Sequence, residues 1–180
     1  CTYPDDGTYT ARLRVTDSRS MTDTVTTTVT ISNVAPALSG LAAADVAEGS
    51  ATTLTGSLVD VGVQDTFTLT VGWGDGVTET VAYGAGTSAF TQTHVYADDD
   101  PTATAADGYT VTLSVEDDDG GVGSASAELT VRNVAPQIEA GPDVLVEPGQ
   151  PVTFTGVFTD PGTLDTHAIV WDFGDNKTVT

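Results

Sequence analysis

Ile31-Ser32-Asn33-Val34-Ala35-Pro36 is one of two copies of a short motif, and the second copy is Val131-Arg132-Asn133-Val134-Ala135-Pro136. Asn33 and Asn133 lie 100 residues apart, and the same interval relates many other identical residues. A fixed period of this kind is the sequence signature of an array of similar modules. The matching pairs include Tyr9 and Tyr109, Leu13 and Leu113, Val15 and Val115, Asp60 and Asp160, Asp65 and Asp165, and Gly74 and Gly174.

The period divides the 180 residues into three segments. We predict that residues 1–33 are the C-terminal part of one module, that residues 34–133 form a complete module, and that residues 134–180 are the N-terminal part of a third. Two explanations of the partial modules are open. The chain is a segment of a longer array, or residues 134–180 of one copy are completed by residues 1–33 of another copy, which would build a filament.

The chain alternates apolar and polar residues, and no window has a helical period. Residues 9–15 and 67–73 each place their apolar side chains on one face, as a half-buried strand does. About seven such segments occur between residues 38 and 131, with turn signals such as Gly74-Asp75-Gly76 between them. Seven short antiparallel strands are typical of an immunoglobulin-like sandwich. We therefore predict an all-β fold of tandem immunoglobulin-like, seven-stranded β-sandwiches.

Several motifs resemble the PKD domain family, which is named after the polycystic kidney disease protein. The family's hallmark WDFGDG is similar to Trp171-Asp172-Phe173-Gly174-Asp175-Asn176 and, more loosely, to residues 71–76. The family's His-x-Tyr pattern matches His94-Val95-Tyr96, and its alternating VxLxVxD strand matches residues 111–117. The resemblance covers the whole chain.

The resemblance implies a sandwich without catalytic residues, used in tandem as a spacer, an adhesion module or a surface-layer module. Some bacterial members of the family bind calcium. We therefore expect a structural extracellular repeat protein, such as a spacer, an adhesin stalk or a fibre subunit, and not an enzyme. The alternative is a non-catalytic accessory module of a secreted hydrolase that binds collagen or polysaccharide. Further Asn-Val-Ala-Pro motifs in the surrounding sequence would favour the first function, and a catalytic domain would favour the second.

The charge of the chain limits its partners. The chain has 5 basic residues (Lys and Arg) and 26 acidic residues (Asp and Glu), which gives a formal net charge of -21. Such a surface repels phosphate backbones and anionic membranes, so we expect no nucleic acid partner and no membrane insertion. The expected partners are cations and neighbouring modules of the same or another copy. The single Cys excludes an internal disulfide, and the low Lys content with abundant Thr, Gly and Asp indicates a secreted or cell-surface protein.

Acidic turn residues gather at the two ends of a sandwich whose strands run alternately up and down. Converging carboxylates need either open solvent or a cation, because like charges about 4 Å apart repel by roughly 4 kcal/mol at an effective dielectric near 20. Calcium takes about six to eight oxygen ligands in flexible geometry, which leads to the hypothesis that Ca²⁺ binds where each end meets the next module and stiffens both joints. In the alternative, the Asp residues favour turns and remain solvated. The candidate ligands are Asp5, Asp6, Asn33, Asp60, Asp65, Asp117, Asp118 and Asp119 at the first end, and Glu48, Asp98, Asp99, Asp100, Asn133, Asp160 and Asp165 at the second.

Other residues with chemical potential have simpler explanations. Trp73, Trp171 and Phe173 alternate with apolar residues, which favours core packing over a sugar-binding platform. His94 and His167 lack further Cys or His at ligand spacing, so structural roles are expected. We predict no catalytic residues and no organic cofactor.

Overall fold

The computed structural model describes residues 1–100, 102, 104–175 and 177–179, so Asn176 of the predicted hallmark lies outside the described residues. The regular elements in this part of the chain are all β-strands, as predicted, and no helix there is long and apolar enough to span a membrane. The strands are β1 Gly7–Thr16, β2 Thr22–Ile31, β3 Ala37–Ala43, β4 Val46–Ala47, β5 Ala51–Val59, β6 Phe67–Gly72, β7 Thr78–Tyr83, β8 Ala89–Val95, β9 Ala106–Asp117, β10 Val122–Arg132, β11 Gln137–Glu139, β12 Val157–Thr159, β13 Trp171–Asp172 and β14 Thr178–Val179.

Strands β1 and β2 form an antiparallel hairpin, with Leu13 opposite Val25. The turn between them is fixed by Asp17, whose Oδ1 accepts hydrogen bonds from the amides of Arg19 (2.9 Å) and Met21 (2.8 Å). A short Asp side chain that bonds backbone two residues ahead is a common turn former. The alternating pattern on both sides of residues 17–23 predicts this hairpin.

Tyr9 fastens the segment that precedes β1. Its hydroxyl donates to the carbonyl oxygens of Asp5 and Asp6, each at 3.0 Å, and its ring centroid lies 4.4 Å from that of Tyr3. This is a tyrosine-corner arrangement, in which a Tyr hydroxyl bonds to the backbone a few residues upstream. The hydroxyl therefore holds the segment that carries Asp5.

The Tyr9→Phe variant should open this segment more easily. We expect the free energy of local opening at residues 5–9 to fall, because one donor that serves two carbonyls is removed. Hydrogen–deuterium exchange of these amides measures the effect. The Tyr3→Phe variant keeps the ring contact and is the control. Equal exchange in both variants would contradict the assigned role of the Tyr9 hydroxyl.

Strands β3 to β10 form two sheets of a β-sandwich. One sheet has the order β3-β5-β8, and the other has the order β4-β10-β9-β6-β7. The sequence predicts about seven strands here, and the structure has eight. The additional strand is β4, whose Val46 and Ala47 pair in parallel with Val131 and Arg132.

The predicted inward residues of the sandwich are buried. Leu69, Val71 and Trp73 are fully buried, and Phe67 is 4% exposed. Strand β6 pairs with β9 so that Leu69 lies opposite Val115 and Val71 opposite Leu113, and those partners are also buried. The clean alternation of residues 67–73 therefore marks the core strand, as the sequence indicates.

Residues 134–180 repeat the strand registers of the preceding repeat. Strands β11 and β12 place Ile138 opposite Phe158, just as β3 and β5 place Leu38 opposite Leu58. Strands β13 and β14 place Asp172 opposite Thr178, just as β6 and β7 place Gly72 opposite Thr78. The sequence period of 100 residues is therefore also a period in strand pairing.

The core packing expected for Trp171 and Phe173 is incomplete. Trp171 is half-buried and Phe173 is 42% exposed, whereas their period partners Val71 and Trp73 are fully buried. The pairing of the strands differs. Val71 lies opposite Leu113 of β9, whereas β13 pairs with β14 alone in the described residues.

The described residues form two compact units. The first unit comprises Cys1–Ala43, Thr53–Thr93 and Tyr109–Glu128, and the second comprises Ala44–Thr52, His94–Gly108 and Leu129–Thr180. The division into three modules at residues 33 and 133 stays a prediction.

Candidate metal centres

The first acidic cluster consists of Asp5, Asp60, Asp65, Asp117 and Asp119, all in the first unit. One carboxylate oxygen from each of Asp5, Asp65 and Asp119 lies within 4.8 Å of the others, and the same holds for Asp60, Asp65 and Asp117. Asp60 and Asp65 lie between β5 and β6, and Asp117 ends β9. Asp65 belongs to both groups and is only 2% exposed, so it is the centre of the cluster.

Backbone contacts position the loop that carries Asp60 and Asp65. Asp60 Oδ1 accepts a hydrogen bond from the amide of Gly62 at 2.9 Å, which closes a tight turn. The next amide, that of Val63, donates to the carbonyl oxygen of Pro4 at 2.9 Å. This bond brings the segment before β1 to the cluster, and with it Asp5.

Asn33 of the repeated motif orients Asp117. Its Nδ2 donates to Asp117 Oδ1 at 3.1 Å and to Oδ2 at 2.9 Å. Asp117 Oδ1 also accepts from the amides of Asp119 (3.1 Å) and Gly121 (2.6 Å). Asn33 was predicted as a ligand, and the structure places its amide nitrogen, a donor, against Asp117. Its observed contact therefore positions a candidate ligand.

Two buried oxygens in the first cluster have no hydrogen-bond partner among the described residues, namely Asp60 Oδ2 and Asp65 Oδ1. Burial raises the pKa of Asp65 to about 7, and the neighbouring Asp5, Asp60 and Asp117 add to the shift. The chain therefore places a carboxylate where its charge is poorly compensated. A cation bound by these oxygens would supply that compensation.

The second acidic cluster is in the second unit and begins with Glu48, Asp98 and Asp99. These residues are 1%, 7% and 3% exposed, and one oxygen from each lies within 4.8 Å of the others. Glu48 Oε1 accepts from the amide of Val134 at 2.6 Å, and Asp98 Oδ2 accepts from the amide of Leu164 at 2.9 Å. Glu48 Oε2 and Asp99 Oδ2 have no hydrogen-bond partner among the described residues.

Asp160, Asp165 and His167 complete the second acidic cluster. Their ligand atoms lie within 4.8 Å of one another, and His167 Nε2 is 2.8 Å from Asp160 Oδ2. Gly162 is the link to Glu48, because a Cβ on Gly162 would lie 2.7 Å from both Glu48 Oε2 and Asp165 Oδ2. Burial raises the pKa of Glu48, with Asp165, Asp99 and Asp98 contributing.

The two clusters share one construction. Asp160 Oδ1 accepts from the amide of Gly162 at 3.1 Å, as Asp60 does from Gly62. The amide of Thr163 then donates to the carbonyl oxygen of Ala97 at 3.0 Å, as Val63 does to Pro4. A Cβ on Gly62 would collide with the Asp65 carboxylate, just as one on Gly162 would collide with Asp165. Each glycine therefore leaves a space beside a carboxylate, and a methyl group at that position would fill the space.

Besides Asn33, four predicted ligands lie outside these groups of converging oxygens. Asp118 Oδ1 accepts from the amide of Thr66 at 2.7 Å, and this bond lowers its pKa. Asp6 contacts the first cluster through a side-chain hydrogen bond with Asp119, which raises the pKa of Asp119. Asn133 donates its backbone amide to the Ala105 carbonyl at 3.2 Å. Asp100 belongs to no group of three ligand atoms in the described part of the chain.

His167 belongs to the second acidic cluster, although it is not among the ligands predicted from the sequence. The sequence predicts a structural role for it, because no Cys or second His lies at ligand spacing. The sequence signal that could have identified it is its position two residues after Asp165 and seven after Asp160, close to two predicted ligands.

Asp65 should make stability depend on pH in the absence of divalent cations. Its folded-state pKa of about 7 exceeds the ordinary value near 3.9, so the folded chain binds a proton that the unfolded chain has released. This contribution to stability is present below about pH 4 and is lost as pH rises through about 7. In EGTA, the unfolding temperature of the native chain should therefore fall more between pH 4 and pH 7 than that of the Asp65→Asn variant. Parallel curves would contradict the burial of an ionisable Asp65.

The last segment of the chain matches a known family. Residues 133–180 match the family model described as PKD domain. The resemblance to the PKD family is confirmed for these residues. They contain β11 to β14 and Asp160, Asp165 and His167 of the second cluster. No curated protein matches the chain.

Three solved structures are similar to parts of the chain. The PKD domain of an M14-like peptidase from Thermoplasmatales archaeon SCGC AB-540-F20 is 19% identical, with a TM-score of 0.47, and the match covers 56% of this chain and 99% of that one. A tetra-tandem repeat from the extending region of a large adhesion protein is 18% identical, with a TM-score of 0.46. The match covers 86% of this chain and 39% of that one. A conjugative transposon lipoprotein from Bacteroides eggerthii DSM 20697 is 11% identical, with a TM-score of 0.35. The match covers 52% of this chain and 95% of that one.

Proposed function

We propose that the chain is a structural segment of an extracellular repeat protein, a spacer, stalk or fibre element, in which Ca²⁺ binds both acidic clusters. In this function the cations stiffen the connection between one sequence repeat and the next. The proposal assigns no catalytic role to any residue. Its physical basis is that both clusters bury carboxylate oxygens whose negative charge needs a compensating cation.

One observation carries the proposal. Asp65 Oδ1, Glu48 Oε2 and Asp99 Oδ2 are buried carboxylate oxygens without a hydrogen-bond donor among the described residues. A buried charge is strongly unfavourable unless it is paired or coordinates a metal. The ion pairs of Arg132 with Asp45, of His167 with Asp160 and of Lys177 with Asp175 do not include these oxygens. A cation in each cluster would satisfy all three.

The donor chemistry favours calcium. The first cluster offers carboxylate oxygens alone, which suit hard cations and do not suit metals that prefer thiolate or imidazole. Magnesium requires near-ideal octahedral geometry, whereas calcium accepts several carboxylates in irregular arrangements. Calcium sites of extracellular modules bind with dissociation constants on the order of 0.1 to 1 mM, which fits a secreted structural role.

The position of the clusters explains how a cation would stiffen the chain. The Val63–Pro4 hydrogen bond joins residues 1–33 to the next repeat, and the Thr163–Ala97 bond joins residues 34–133 to the repeat after it. The carboxylates beside each bond repel one another when no cation is bound. Calcium would convert this repulsion into a second attachment, for example between Asp5 and Asp65. The hydrolase-accessory function stays an alternative prediction.

Small-angle X-ray scattering of the 180-residue chain tests the function. We expect Ca²⁺ to narrow the distribution of interatomic distances relative to EGTA, because it restricts bending between repeats. The double variant Asp65→Asn/Glu48→Gln should show no difference between the two conditions, and Asp143→Asn, which changes an exposed acidic residue outside both clusters, should behave as the native chain. Identical scattering of the native chain in Ca²⁺ and EGTA would refute the stiffening role.

A further inference from the structure

The second acidic cluster differs from the first in its donor chemistry. The ligand atoms of Asp160, Asp165 and His167 lie within 4.8 Å of one another, so an imidazole nitrogen is among them. In the part of the chain that the structure describes, the converging groups of the first cluster consist of Asp residues alone. The loop carboxylates are shared, since Asp160 and Asp165 correspond to Asp60 and Asp65 one period earlier. His167 is therefore the residue that changes the donor set.

The fold does not require an imidazole at this position. One period earlier the residue is Phe67, which is 4% exposed, and the loop before it makes the same tight turn as the loop before His167. The ring of His167 packs against that of Phe158, with a centroid distance of 4.7 Å, and an apolar ring would do this equally well. The imidazole adds a nitrogen, Nε2, which lies 2.8 Å from Asp160 Oδ2.

A buried carboxylate oxygen faces this group from another part of the chain. Glu48 is 1% exposed, and its Oε2 has no hydrogen-bond partner among the described residues. A Cβ on Gly162 would lie 2.7 Å from this oxygen and 2.7 Å from Asp165 Oδ2, so both oxygens face the same space beside the glycine. Burial raises the pKa of Glu48, and Asp165 adds to the shift. A cation between the two carboxylates would supply the missing partner.

One imidazole nitrogen and three carboxylates suit zinc. Zinc binds His nitrogen and Asp or Glu oxygen at about 2.0–2.2 Å, usually with four ligands in a tetrahedron. Imidazole favours zinc over calcium and magnesium, which prefer oxygen ligands. A proton lies between His167 Nε2 and Asp160 Oδ2 in their hydrogen bond. Zinc would take its place, and the neutral ring would then carry its proton on Nδ1.

We propose that the second acidic cluster binds zinc in preference to calcium, with His167, Asp160, Asp165 and Glu48 as the ligands. This inference rests on the proposed function, because it takes the second cluster as a cation site. The two metals compete for Asp160 and Asp165. The zinc concentration around the protein therefore decides which cation occupies the second cluster, whereas the first cluster keeps its preference for calcium.

Isothermal titration of the metal-free 180-residue chain with Zn²⁺ tests the inference. We expect one saturable site per chain. The His167→Gln variant replaces the imidazole by an amide oxygen, which calcium accepts as a ligand. It should weaken zinc binding at least about 10-fold more than calcium binding, since even groups that only support metal ligands contribute about 10-fold to 100-fold. The His94→Gln variant removes the other of the two His residues and should bind zinc as the native chain does.

Nuclear magnetic resonance of the two His rings gives a second readout. Zn²⁺ should shift the ring signals of His167 and leave those of His94 unchanged, because His94 belongs to no group of converging ligand atoms in the described residues. Bound zinc should also reduce the number of calcium sites from two to one. Two calcium sites in saturating zinc would place the zinc elsewhere and overturn the inference.

The outcomes separate this inference from the proposed function. If the native chain binds calcium at two sites and His167→Gln lowers zinc affinity no more than calcium affinity, the zinc site alone is overturned. Zinc binding through His167 without any calcium binding overturns the proposed function alone. A native chain that binds neither cation overturns both.

Discussion

Saturating Ca²⁺ is expected to raise the unfolding temperature of the 180-residue chain by on the order of 10 °C. A ligand at 100 times its dissociation constant adds about 2.7 kcal/mol of stability at each site, and two sites are proposed. One kcal/mol shifts the unfolding temperature of a domain of this size by roughly 2–4 °C. Differential scanning calorimetry with Ca²⁺ or EGTA measures the shift.

Single substitutions should divide this shift between the two clusters. Asp65→Asn removes the central ligand of the first cluster, and Glu48→Gln removes a buried ligand of the second. Each should abolish about half of the calcium effect. The Asp143→Asn variant, at an exposed position outside both clusters, should retain the whole shift.

The sign of the effect in EGTA distinguishes a metal ligand from a purely structural carboxylate. Without a cation, Asp65→Asn removes a poorly compensated buried charge and should raise the unfolding temperature. With Ca²⁺ the same variant should unfold at a lower temperature than the native chain. A variant that is destabilised by the same amount in both conditions would contradict the calcium site.

Trp73→Ala should destabilise the sandwich by about 3–5 kcal/mol, the usual cost of removing a fully buried large aromatic side chain. Trp73 is fully buried, and its amide donates to the carbonyl oxygen of Val77 at 3.0 Å across the turn after β6. The substitution would leave a cavity at the end of the core strand. Denaturation in urea, monitored by circular dichroism, measures the loss.

Phe173→Ala is the matched control, because Phe173 occupies the position of Trp73 one period later. Its amide makes the same turn contact, with the carbonyl oxygen of Lys177 at 3.2 Å, but its side chain is 42% exposed. Its removal should cost about 1 kcal/mol. Equal losses for the two variants would contradict the core that the structure assigns to residues 34–133.

The sequence predicts the sandwich and the gathering of the acidic turns because both follow from local patterns. Alternation in residues 67–73 identifies the core strand, and the positions of Asp60, Asp65 and Asp117 at strand ends bring them to one side. The strand β4 was not predicted as a separate element, because two residues are too short for a periodic signal. Its parallel pairing with β10 depends on tertiary contacts.

The burial of individual carboxylates could not be predicted from sequence. Glu48 stands directly before Gly49 in a turn, which is ordinarily a solvated position, yet its exposure is 1%. That burial depends on Val134 and Gly162, which are far away in sequence and come close only in the fold. Asn33 illustrates the same limit, because its residue type does not reveal that its side-chain amide nitrogen donates to Asp117.

Isothermal titration of the 180-residue chain with Ca²⁺ tests the central claim most directly. The account predicts saturable binding at two sites per chain, reduced to one by Asp65→Asn or by Glu48→Gln and unchanged by Asp143→Asn. A titration of the native chain that shows no saturable heat, together with an unfolding temperature that EGTA does not change, would contradict it.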